Sequence, residues 1–97
     1  MGVRVSAEAE LELDDIWYYT ATESSSIEIA QRLIDSITDQ FALLSKSPFL
    51  GRRRDDLKVG LRGTTVGEYV IIYRVEGADI VILHVLHGRR DIRSIVQ

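Results

Sequence analysis

Arg62, Arg89, Arg90 and Arg93 are the residues of this 97-residue chain best suited to chemistry. A guanidinium is a planar fork that donates two hydrogen bonds at once, so several of them together grip phosphate or carboxylate. Arg62 stands at the start of a strand-like segment, and Arg89, Arg90 and Arg93 follow the last such segment in HGRRDIRS. Neighbouring strands could therefore bring Arg62, Arg89 and Arg90 to one rim. His84 and His87 precede them, three residues apart and so on opposite faces of a strand. A histidine on so apolar a strand is more often a core residue than a proton carrier. For the arginines, the plain alternative is surface pairing with Asp55, Asp56 or Asp91.

Other chemistries find less support. With no cysteine there are no disulfides and no thiolate metal sites. Glu8, Glu12, Asp14 and Asp15 have no histidine among them and read as a solvent-facing stripe, so no metal is implied. Gly60, Gly63 and Gly67 match neither a P-loop nor a dinucleotide fingerprint and read as strand bends. Trp17, Tyr18 and Tyr19 are consecutive helix residues pointing in different directions, which suits a core edge better than a base-stacking platform. No cofactor is implied.

These side chains need elements to position them. Val3 and Val5 alternate with Arg4 as in an edge strand. Ser6 offers a helix N-cap, and Glu8, Glu10 and Glu12 place negative charge where the helix dipole favours it. A helix is expected over about 7–22, with Ala9, Leu13, Ile16, Trp17 and Thr20 on one stripe. Ser25 with Glu28 fits a capping box for a second helix, in which Ala30, Leu33, Ile34, Ile37, Phe41 and Leu44 recur at three and four. Pro48 marks its end. Gly51 opens a loop carrying Arg52, Arg53, Arg54, Asp55 and Asp56. Strands then follow at roughly 59–66, 69–76 and 79–87, the last two joined by a turn at Glu76 to Asp79. The fold class is α+β in the order β-α-α-β-β-β, with a helix hairpin on one face of a mostly antiparallel twisted sheet and a short C-terminal tail.

Strand alternation sets Tyr69, Ile71, Tyr73 and Val75 against Val70 and Ile72, and Val81, Leu83 and Val85 against Ile80 and Ile82. Both faces are apolar, and one helix hairpin covers only one. The second face calls for the tail residues Ile92, Ile95 and Val96, or another chain. Charge is divided too. Residues 1–45 hold nine acids and two bases, whereas residues 46–97 hold ten bases and six acids, so a chain of net charge −3 still has a basic half able to attract an anionic partner. Size and composition fit a single domain over 1–97. No apolar run is long enough to cross a membrane and the start lacks a signal-peptide pattern, so a cytoplasmic address is expected.

The segments SAEAELELDDIWYYTATES, SPFLGRRRDDLKVGLRG, VGEYVIIYRV and ILHVLHGRRDI, in that order, resemble the RelE/ParE superfamily of bacterial toxins over nearly the whole chain. The turn from Pro48 to Gly51, the YVIIYRV strand and the closing HGRRDI resemble the ParE branch more than the RelE branch. The resemblance implies the toxin of a type II toxin–antitoxin pair, with plasmid stabilization among the roles of such modules. It would be held inactive by a ParD-like or similar antitoxin whose C-terminal segment wraps around it, and Val70, Ile72, Arg74, Ile80 and Ile82 are the residues expected to meet that antitoxin. The ParE branch implies DNA gyrase inhibition by binding, with Arg62, Arg89, Arg90 and Arg93 as the docking or phosphate-binding groups. The RelE branch implies cleavage of messenger RNA on the ribosome.

RNA cleavage through the 2′-hydroxyl needs a base, a stabiliser of the pentavalent phosphorus and an acid for the leaving oxygen. Here those roles would fall to Arg62, Arg89, Arg90 and His87. RelE-like nucleases usually carry a tyrosine or histidine in the tail, and DIRSIVQ has neither. ParE-like chains often carry arginine where His84 stands. The acidic balance also suits a phosphate-lined target poorly. Binding is therefore the favoured reading, an RNA endonuclease the second, and a non-toxic domain that homodimerises the third.

Overall fold

The computed structural model describes residues 2–96. The elements are β1 (Val3–Val5), α1 (Ala7–Ser24), α2 (Ile27–Lys46), β2 (Arg52–Arg53), β3 (Leu61–Val66), β4 (Tyr69–Glu76), β5 (Asp79–His87) and α3 (Ile92–Val96). They form an α+β domain with one five-stranded sheet in the order β1-β5-β4-β3-β2. All neighbours are antiparallel except β1, which lies parallel to β5 with Val3 opposite Ile80 and Val5 opposite Ile82.

Local chemistry sets the helix limits. Ser6 is extended and its hydroxyl accepts from the Ala9 amide at 3.0 Å, satisfying one of the first-turn donors. The same hydroxyl donates to the Leu83 carbonyl, and the Ser6 amide donates to that of Ile82, so the start of α1 is fastened to β5. Ser25, expected as the cap of α2, instead takes a left-handed conformation (φ 54°) that ends α1, while Ser26 caps α2 by accepting from Ile29. A serine run supplies both functions, and only the backbone decides which residue takes which. The 52–53 segment, expected as loop, pairs with Gly63 and Arg62 as the short edge strand β2, and the tail forms the helical turn α3.

Two apolar clusters sit on opposite faces of the sheet. Under the hairpin, Ala9 and Ile16 of α1 and Ile37, Phe41 and Leu44 of α2 pack on Ile71, Tyr73, Ile80, Ile82 and Val85. Each such large side chain removed from water contributes about 1.5–3 kcal/mol before entropy is counted. On the other face, Ile72 is enclosed with Leu57 and Leu61, covered by Val70, Leu83, Ile92 and Val96. The tail therefore shields the second face within this chain, aided by Leu57 from the 54–60 loop.

The alternation of β5 is broken. Ile72 pairs with His84 but Tyr73 pairs with Ile82, leaving Leu83 as an extra residue in a bulge. Past it the faces exchange, so Val85 joins Ile80 and Ile82 beneath the helices instead of following Val81 and Leu83. This corrects the expected antitoxin-facing set. Ile80 and Ile82 lie on the helix side, Ile72 is fully enclosed, and of the five only Val70 and Arg74 keep access to solvent on the second face.

Candidate functional site

The register separates the arginines that the sequence suggested could meet. Arg62 pairs across β3–β4 with Tyr73, which in turn pairs with Ile82, whereas Arg89 and Arg90 follow His87 at the end of β5. Those levels are four residues apart along β4, from Tyr73 to Tyr69, roughly 13 Å at a strand rise of about 3.3 Å. Arg62 and the pair Arg89–Arg90 therefore belong to opposite ends of the sheet.

At the first end, a short turn follows α2 and is held from beneath. Tyr73 is fully buried, yet its hydroxyl donates to the Pro48 carbonyl at 2.8 Å and accepts from the Gly51 amide at 2.8 Å. Burial pushes the phenol's pKa up, partly offset by the Gly51 amide and the nearby Arg62 charge. Any side chain at Gly51 would collide with the Tyr73 hydroxyl, which explains the glycine there. Arg62 completes the clamp by donating to the carbonyls of Gly51 (2.7 Å) and Phe49 (3.3 Å), with its guanidinium 5.0 Å from the Phe49 ring centroid. Both bonds come from Nη1, so part of its donor capacity is spent on main chain.

At the second end, α1 and the end of β5 enclose a cleft of about 540 Å³ lined by Asp15, Tyr19, Glu68, Tyr69, His87, Arg89 and Arg90 among others. Tyr69 meets His87 edge-on at 5.4 Å, and burial raises the Tyr69 pKa. The Arg89 amide donates to Nδ1 of His87 at 3.1 Å, and Nε2 of the same ring lies 3.8 Å from Glu68. His87, Arg89 and Arg90 do come together here; Arg62 does not join them.

Arg93 has a different task. It donates to the carbonyl and carboxylate of Asp56, at 3.0 and 3.2 Å, and Arg54 also grips that carboxylate. The Arg54 hydrogen bonds hold the Asp56 pKa below its ordinary value, with further help from the Arg93 charge. α3 is thereby clasped to the 54–60 loop. Arg4 and, after it, Arg74 pair with Glu76, which lowers the pKa of that carboxyl.

Glu12, expected in a solvent-facing stripe, is a structural residue. Among the described residues no strand pairs with the outer edge of β5 beyond Val5, and one oxygen of Glu12 accepts from the Val85 amide while the other meets Nδ1 of His84, both at 2.9 Å. The sequence carried a signal for this: Glu12 lies three residues after buried Ala9 and four before buried Ile16, on the border of the core stripe. Among the described residues no group of three or more histidines and carboxylates could hold a metal.

Two helices packed on one face of an open, mixed five-stranded sheet, with β1 returning parallel to β5, form the architecture of the ParE toxins. The chain belongs to that family: its family profile, described as the ParE toxin of the type II toxin–antitoxin system parDE, matches residues 3–92. Among curated relatives, Toxin ParE3 of Caulobacter vibrioides is 39% identical over 72 residues, covering 74% of this chain and 72% of its own. Toxin ParE1 of the same organism is 30% identical over 91 residues, covering 94% and 93%. A solved structure titled as the chromosomal ParDE TA system from P. aeruginosa matches the fold with a TM-score of 0.78 at 24% identity, covering 90% of this chain and 95% of that one.

Proposed function

We propose that this ParE-family toxin acts by binding DNA gyrase and is neutralised by a cognate ParD-like antitoxin. The observation that carries the reading is the family match from residue 3 to residue 92, which spans every strand and both long helices. The solved relative named as a ParDE system supports the pairing with an antitoxin. Val70 and Arg74 offer such a partner a foothold on the second face, beside the thin cover of α3.

Binding fits better than RNA cleavage because the proposed nuclease groups do not converge. Arg62 is held by main-chain carbonyls at one end, and His87, Arg89 and Arg90 stand at the other. Purified protein added to gyrase is expected to reduce negative supercoiling of relaxed plasmid, and addition of the cognate antitoxin to restore it. Undiminished supercoiling at saturating toxin would remove gyrase as the target. New message ends on translating ribosomes would favour the nuclease in its place.

A further inference from the structure

The positive balance of the C-terminal half is concentrated in one segment. Residues 46–62 hold six bases and two acids, while residues 63–97 hold four of each. The same segment carries large apolar side chains in the open. Phe49 is 68% exposed and Val59 is 86% exposed, and both line a cleft of about 280 Å³ together with Val75, Arg53 and Arg62.

The backbone beneath both groups is pinned. Phe49 sits on the turn fastened by Tyr73 and Arg62. Val59 sits on a loop anchored by buried Leu57 and closed by the Gly60 amide donating to Asp55 at 3.0 Å. Exposed apolar groups on preorganised backbone lose little entropy when covered, which is how binding surfaces gain affinity. The cleft has room for one aliphatic or aromatic side chain.

We propose that the cleft between Phe49 and Val59 docks a partner polypeptide through one apolar anchor flanked by carboxylates. Arg52 and Lys58, exposed in the same segment, supply the complementary charge. A nucleic acid fits less well, because four of the lining side chains, Phe49, Val59, Leu61 and Val75, are apolar and a carboxylate, Asp55, stands among the rest. The site does not depend on gyrase being the target of the toxin.

The test uses the full isotopically labelled chain and amide NMR. The probes are a nine-residue peptide with a central leucine flanked by glutamates, the same peptide with lysines, and a twelve-nucleotide oligothymidylate. The glutamate peptide is expected to shift saturably the amides of 49–53 and 59–62. Val59→Ser and Arg53→Glu, both on exposed side chains, are expected to weaken it at least tenfold without altering the remaining spectrum. The proposal is overturned by no shift with the glutamate peptide, by equal binding of the lysine peptide, or by binding unchanged in both variants. Preferential shifts of these amides with oligothymidylate, or with protein concentration alone, would likewise overturn it in favour of nucleic acid or a second copy.

Discussion

Glu12 shows how far a single side chain can depart from what its type suggests. Replacing it with alanine strands the Val85 amide at a partly covered edge, where an unsatisfied donor costs about 1–3 kcal/mol. Glu12→Ala should lower the urea midpoint accordingly, and Glu12→Gln, which keeps an acceptor oxygen, should lose less. Tyr73 makes a second prediction. Tyr73→Phe removes both bonds to the 48–51 turn and should cost about 1–2 kcal/mol by chemical denaturation. Its pH dependence has a definite sign. The folded pKa is raised by burial, so the contribution of this phenol is intact below its ordinary value and is lost as pH climbs through the raised one. Wild type should therefore weaken in strong alkali more steeply than Tyr73→Phe. At this scale the sequence was only partly legible. Arg62 was singled out as an anion-gripping group, but nothing in its neighbours showed that a carbonyl pair would hold it, because Phe49 and Gly51 reach it only through the pairing of β2 with β3.

Among the elements, the helices were readable because caps and apolar periodicity are local properties; Ala30, Ile37, Phe41 and Leu44 are buried as their spacing required. Leu44→Ala should cost about 2–5 kcal/mol in an equilibrium unfolding experiment. The strands were placed well, yet the bulge at Leu83 was invisible, since an extra residue alters the faces without altering composition. That one residue moved Ile80 and Ile82 out of the expected partner surface. The cover on the second face rests on the Arg54–Asp56–Arg93 clasp, whose carboxyl has a lowered pKa. Its stabilisation is present above the ordinary carboxylate range and is lost as pH falls through the lowered value. Asp56→Asn, or acid, should loosen α3, seen as faster hydrogen exchange at 92–96 with little change under the helix hairpin.

Over the whole molecule, the acidic hairpin and the basic 46–62 segment were both readable as composition, and the second face was readable as a surface needing cover. What hid was long-range pairing: alternation cannot say that Val3 lies beside Ile80. That pairing has a consequence for the timing of synthesis. Gly2 donates to the Asp79 carboxylate and accepts from the Ile80 amide, and Ser6, which starts α1, is fastened to Ile82 and Leu83. The first strand thus has no partner until the chain has been made as far as β5. With translation at about 5–20 residues per second, the N-terminus waits several seconds for its neighbour. A chain stalled on the ribosome before Ile80 should be cut readily by protease, while the released protein resists. A newborn copy is therefore without its finished sheet for as long as residues 6–79 are being added.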